Sequence, residues 1–272
     1  TAKYMYLSLT MPTATTVRDV PMQLVIEQRT MINSFLKKAK GGKVSFTHIL
    51  AYAMVQALKT VPAMNNAYAE IDGKPHLIEN HQINLGMAID VVHSDGSRKL
   101  VVTAINFAEQ MDFLDFWRAY EEIVRKGRTN ELTVDDFKGV TASLTNPGGF
   151  GTNHSIARLM PGQGMILGVG SIDYPAAYQG NSPTRIAELG ISKVTTLTST
   201  YDHRIIQGAQ SGEFLRRMHQ LLLGADRFYE DIFESLRIPY APVQWASDRL
   251  ANRAEQGGKQ ARVIELIEAW RR

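Results

Sequence analysis

Apolar positions over residues 22–40 fall on a helical stripe, with Leu24, Met31 and Phe35 in one row, Val25, Ile32 and Leu36 beside them, and Gly41-Gly42 to end it. A second helix is predicted from about Phe46 to Lys59, with Ser45 in the N-cap position and Pro62 beyond its end. The pattern then changes to period two. Ile83, Leu85, Met87, Ile89 and Val91 alternate, as a half-buried strand does, and His93-Ser94-Asp95-Gly96-Ser97 reads as a turn into another strand around Leu100 to Ile105. Asp112 caps a predicted helix through Arg125 that carries Phe113, Phe116, Trp117, Tyr120 and Val124, with Gly127 expected just past its end. Further strands are expected at Thr15 to Val20 and near 140–145, 165–171 and 193–201. A last helix, about Ala209 to Leu223, buries Phe214, Leu215, Met218 and Leu222 and stops at Gly224. Strands mixed with amphipathic helices in this way predict an α/β domain.

The pattern fades after residue 237. Residues 238–259, rich in Pro, Gln, Ala and Gly, read as a linker, and the stretch from Gln260 is amphipathic, with Val263, Ile264, Ile267 and Trp270 on one side. With 272 residues and 44% hydrophobic content, the chain buries a sizeable core. Its 30 basic and 27 acidic residues leave a net charge of only +3 with no long basic block, so no nucleic-acid partner is called for. The densest basic cluster, Lys37 to Lys43, reads as a solvated helix end, with phosphate binding as the weaker alternative. The absence of cysteine excludes disulfides and thiol nucleophiles and agrees with a reducing compartment; the cytoplasm is the expectation. No apolar run of 18 residues and no apolar leader occurs, so neither a membrane partner nor a signal peptide is expected. A chain opening at Thr1 without methionine reads as part of a longer protein.

Candidate chemistry gathers in three segments. Thr200-Tyr201-Asp202-His203-Arg204-Ile205-Ile206-Gln207-Gly208 sets a histidine between a strand end and a helix start, where an imidazole can serve as a base near neutrality. Taken alone, a histidine beside an Asp and an Arg is more often a surface or ion-paired residue than a base. Ser143-Leu144-Thr145-Asn146-Pro147-Gly148-Gly149-Phe150-Gly151 is a strand running into a glycine turn, and Pro161 to Gly168 precedes a further strand. No His-Glu-x-x-His spacing, Gly-x-Ser-x-Gly elbow or Walker loop is present, so no metal site is predicted and hydrolase readings weaken.

In this order the three segments resemble the catalytic core of dihydrolipoyl acyltransferases, whose terminal signature is Asp-His-Arg-x-x-Asp-Gly. Asn65-Asn66-Ala67, Asn84 to Ile89, Lys99 to Thr103 and Leu132 to Phe137 extend the resemblance over most of residues 10 to 235. Threonine rather than serine at position 145 looks like the succinyl-transferring branch. Pro239 to Trp245 and Ala261 to Arg272 look like the lead into a 2-oxoglutarate dehydrogenase component, as in the actinobacterial fused, multifunctional type.

The resemblance implies a chloramphenicol-acetyltransferase-like two-layer α+β sandwich, a mixed sheet with flanking helices, spanning residues 1–237, with residues 260–272 opening the adjoining dehydrogenase region. It implies a homotrimer with the site between subunits, coenzyme A as substrate, a lipoyl group carried by a partner protein, and a role in the tricarboxylic acid cycle. Thiamine diphosphate and Mg would belong only to the fused dehydrogenase domain. His203 would be the base and Thr145 the oxyanion donor, although Thr145 alone also reads as a strand residue with a local hydrogen bond. Asp202 and Arg204 would support the turn as an ion pair, Asn146 would order the loop, and Gly148, Gly149 and Gly151 would permit close approach and positive φ. Gln207 departs from the family pattern, which has an aspartate close to the histidine; glutamine can orient a ring but adds no charge. That departure leaves a second expectation, a catalytically weak trimeric scaffold. A third, acetyl transfer to a small alcohol, fits the fold but not the tail.

Overall fold

The computed structural model describes residues 2–39, 41–92, 96 and 98–245. Helix α1 (Ala2–Ser8) precedes strand β1 (Thr13–Pro21) and the helices α2 (Gln23–Lys38) and α3 (Phe46–Thr60). A hairpin of β2 (Ala67–Ile71) and β3 (Lys74–Ile78) comes next, then β4 (Leu85–Val92), β5 (Arg98–Ile105) and α4 (Phe113–Thr129). The remainder comprises β6 (Ala142–Thr145), β7 (Met165–Val169), α5 (Pro183–Glu188), β8 (Val194–Asp202), α6 (Gly208–Leu222) and α7 (Phe228–Ser235).

Local chemistry sets the helix starts. The Ser45 hydroxyl accepts the His48 N–H at 3.3 Å while His48 Nδ1 accepts the Ser45 N–H at 3.0 Å, a reciprocal cap on α3. Asp112 accepts the Asp115 N–H at 2.8 Å to open α4. Gly127 does not end that helix: it lies buried within α4, and Asn130, at φ 58°, breaks it instead. Nor is α6 the last helix. Gly224 stops it at φ 95°, but α7 succeeds it and buries Phe228, Tyr229, Ile232 and Phe233.

Six strands form one mixed sheet in the order β1-β8-β7-β6-β4-β5, with β4–β6 and β6–β7 parallel and the other pairs antiparallel; β2 and β3 stand apart. Alternation sends Leu85, Leu144, Leu167 and Leu197 into a core shared with Phe214 and Met218 of α6. The reverse face carries Ser143, Thr145, Gly168, Thr198 and Thr200, small or hydroxyl-bearing residues; there Thr198 donates to the Ser155 carbonyl at 2.8 Å and Thr200 meets Thr15 at 2.9 Å. The two-layer α/β arrangement is the one the sequence predicts.

The stretch expected to be a linker begins docked. Tyr240 lies edge-on against Phe35 and Phe233, with centroids 6.3 and 6.2 Å apart, and the fully buried Gln28 amide bonds both backbone groups of Val243. Residues 246–272, with the expected helix from Gln260, lie outside the described residues, as does the 93–97 turn apart from Gly96.

Candidate active site

Strand β8 ends at Asp202, whose side chain is buried. Its carboxylate accepts the Arg204 backbone N–H at 3.0 Å and the guanidinium through Nε at 2.9 Å and Nη2 at 2.6 Å. This forms the expected ion pair and holds the Arg204 pKa above its usual value. The pair satisfies a carboxylate that burial would otherwise penalise. The chain also folds sharply here, because the Asp202 carbonyl accepts both Ile205 and Ile206 N–H, at 3.2 and 3.0 Å. The face of the guanidinium lies over the Tyr68 ring in β2, 3.6 Å from its centroid.

His203 projects from this turn. Its N–H donates to the Pro12 carbonyl at 2.9 Å, and its ring stands edge-on to buried Tyr201 with centroids 5.6 Å apart. Nδ1 lies 3.0 Å from the Ile206 carbonyl oxygen. A carbonyl only accepts, so Nδ1 carries the proton and Nε2 is the ring's open acceptor. The ring is exposed in the single chain, as a base that must reach a substrate needs to be.

Thr145 occupies the other end of the sheet. It closes β6 opposite Gly168, half-buried, and among the described residues its hydroxyl has no hydrogen-bond partner. It therefore makes no local hydrogen bond. Asn146 donates to the Thr47 hydroxyl at 2.9 Å, which ties the loop to the start of α3. A Cβ on Gly148 would fall 2.3 Å from the Gly170 carbonyl oxygen, so the loop needs glycine there, and Gly151 sits at φ 82°. Gly149 meets neither condition, having open space around it and no positive φ.

Register separates the two candidates. Thr145 is level with Gly168, and Gly168 with Thr198, while His203 lies five positions further along the chain and two strands away. At strand spacings that is about 19 Å between backbones. One chain does not bring His203 and Thr145 together.

Gln207 is also apart from the imidazole. It stands at the N-cap of α6, exposed, with its N–H on Gln210 Oε1 at 2.8 Å, and among the described residues no hydrogen bond joins its side chain to His203. Sequence reasoning missed the Ile206 carbonyl that sets the tautomer and the Tyr68 ring under Arg204; neither contact leaves a local signal in the chain. Among the described residues no group of three His, Asp or Glu side chains is placed to hold a metal, and no helix is long and apolar enough to cross a membrane.

The family model described as 2-oxoacid dehydrogenases acyltransferase (catalytic domain) matches residues 1–228. The chain belongs to that acyltransferase family. Within it, the chain is 56% identical over 270 residues to the 2-oxoglutarate dehydrogenase E1/E2 component of Corynebacterium glutamicum, covering 99% of this chain but 22% of that protein. The acyltransferase chain thus spans about a fifth of the length of such relatives. Among solved structures, the cubic core of a pyruvate dehydrogenase multienzyme complex superposes with a TM-score of 0.69 at 25% identity, covering 86% of this chain and 88% of that one. Azotobacter vinelandii dihydrolipoamide acetyltransferase does so with a TM-score of 0.69 at 24% identity and the same coverage. The acyltransferase fold is that of these catalytic cores.

Proposed function

We propose that this acyltransferase domain moves a succinyl group between the thiols of dihydrolipoyl and coenzyme A within a 2-oxoglutarate dehydrogenase assembly. The observation that carries the reading is the His203 ring, locked by the Ile206 carbonyl in the tautomer that presents Nε2 as a base. Nε2 takes the proton of the attacking thiol, and the thiolate adds to the thioester carbonyl. The Thr145 hydroxyl donates to the oxyanion. Collapse of the tetrahedral intermediate expels the other sulfur, which recovers the proton from His203.

Because His203 and Thr145 stand at opposite ends of one sheet, the complete site draws His203 from one subunit and Thr145 from its neighbour, in a homotrimer. Relatives that carry both an E1 and an E2 part support a fused, thiamine-dependent dehydrogenase region beyond this chain. In that arrangement residues 1–237 are the catalytic domain, 238–259 the connection and 260–272 the start of the dehydrogenase region. The lipoyl arm comes from a partner protein, and the setting is cytoplasmic and within the tricarboxylic acid cycle. Coenzyme A and the lipoyl group are substrates here; thiamine diphosphate and Mg belong to the dehydrogenase region. The Azotobacter structure addresses a serine, a histidine and, four positions beyond it, an asparagine in the catalytic mechanism. Gln207 stands four positions beyond His203 and supplies an amide of the same kind.

One observation favours a second reading, a trimeric scaffold with little chemistry: Gln207 is exposed and makes no hydrogen bond to the imidazole. The test is succinyl transfer from succinyl-CoA to free dihydrolipoamide by this chain and by His203→Ala at matched circular dichroism. Transfer that falls on the order of 10² to 10⁴-fold in the variant supports the acyltransferase reading. An assembled trimer that transfers nothing, or transfers equally well without His203, establishes the scaffold.

A further inference from the structure

The geometry points to Tyr68 as a positioning residue for His203, acting through the face of Arg204; this inference rests on His203 being the base of the proposed reaction. Arg204 is engaged in two directions. Its guanidinium edge is bonded to Asp202, which is 2% exposed, and its face covers the Tyr68 ring at 3.6 Å. A planar cation held by edge and face together has one orientation, whereas an edge contact alone lets it rock about the carboxylate.

That orientation matters because the pair shapes the histidine turn. The carboxylate holding the guanidinium also accepts the Arg204 backbone N–H, and the Asp202 carbonyl accepts the N–H of Ile206. The Ile206 carbonyl is in turn the acceptor for Nδ1 of His203. A short chain of contacts therefore runs from Tyr68 through Arg204, Asp202 and Ile206 to the imidazole. Its far end is anchored. Asn65, 1% exposed, donates to the carbonyls of Asn80 and Gln82 at 3.0 and 2.8 Å, and Asn80 returns a bond to the Asn65 carbonyl at 2.8 Å, closing the base of the hairpin that carries Tyr68. Tyr68 is a positioning residue and not a catalytic one, since its ring bears on Arg204 and acts on the reacting atoms only through it.

The experiment uses the full 272-residue chain with Tyr68→Leu, Tyr68→Phe, Arg204→Lys and the double variant Tyr68→Leu/Arg204→Lys. Succinyl-transfer kinetics are measured alongside ¹⁵N imidazole shifts of His203, which report the tautomer without any turnover. Misplacing a base by a fraction of an ångström lowers kcat, so Tyr68→Leu is expected to cost on the order of tenfold in kcat with KM within about twofold. The Nδ1–H tautomer is expected to become mixed. Tyr68→Phe, which keeps the ring, recovers both readouts. In the Arg204→Lys background, Tyr68→Leu adds nothing further, because the path through the flat cation is already gone. Wild-type kcat and an unchanged tautomer in Tyr68→Leu overturn the proposal, as does an equal loss in the Arg204→Lys background. Should Tyr68→Leu fail to fold, the tautomer in Arg204→Lys decides: an unaltered Nδ1–H signal overturns it. Failure of the base assignment is a separate result, seen as transfer that survives His203→Ala.

Discussion

The two ends of the main sheet carry opposite kinds of order. At the His203 end the polar groups of the turn are committed: Asp202 to Arg204, Nδ1 to the Ile206 carbonyl, the His203 N–H to Pro12. At the Thr145 end the backbone is fixed by Gly148 against Gly170 and by Asn146 on Thr47, but the Thr145 hydroxyl is uncommitted. The difference matches what the two proposed roles require. A base needs one tautomer and one direction before substrate arrives, and an oxyanion donor needs a hydroxyl proton that nothing else has taken. In the proposed reaction each end supplies half of the site, and the register holds His203 and Thr145 apart within one chain.

The contrast between the ends is most open to attack at Thr145. Replacing it by the isosteric Thr145→Val removes only the hydroxyl and is expected to lower kcat on the order of 10² to 10³-fold, with KM little changed. Stopped-flow or steady-state transfer assays check this. A variant with wild-type kcat would mean that the free hydroxyl serves no oxyanion.

A smaller effect distinguishes the ends by pH. The Thr145 loop leans through Asn146 on the N-terminus of α3, which is capped by the buried His48. Burial presses the His48 pKa from 6.5 down to about 4. Glu121, 3.1 Å from Nε2, pulls the other way, but it is half-exposed, and Nδ1 already accepts the Ser45 N–H and has no room for a proton. The unfolded chain therefore takes up the proton first as pH falls. This share of stability is fully present above pH 6.5 and is lost progressively down to about pH 4. It amounts to about 3 kcal/mol. Urea midpoints at pH 7 and pH 5 should separate for the natural chain and converge in His48→Gln. Equal pH dependence in both would show that His48 is not the group responsible.

Much of the fold is legible along the chain, for identifiable reasons. Helices α2, α4 and α6 bury a stripe, α3 is apolar and buried nearly all round, and α3 and α4 open on the side-chain caps that Ser45 and Asp112 announce, so pattern and punctuation agree. Strand β4 alternates over a buried face. Gly127 misleads because its small side chain suits a buried helix position as well as a helix stop. The hairpin β2–β3 offers no alternation to read, since every residue of β3 is exposed. Helix α7 is hidden behind a helix stop and two left-handed residues, Asp226 and Arg227. The site divides in the same way. His203, Asp202 and Arg204 stand together in the sequence and together in space, but the tautomer, the bare Thr145 hydroxyl and the Tyr68 contact depend on how the strands are laid side by side.

If the two half-sites meet only between subunits, chains that each lack a different half can complete one another. His203→Ala chains are therefore co-assembled with Thr145→Val chains, and succinyl transfer is assayed. Each variant alone lacks one half of every site, whereas random mixing in a closed ring that pairs His203 with a neighbour's Thr145 restores about a quarter of the sites. Recovery of that order is expected. A mixture no more active than its parents, with mixed trimers shown by mass spectrometry, would rule out a site shared between subunits.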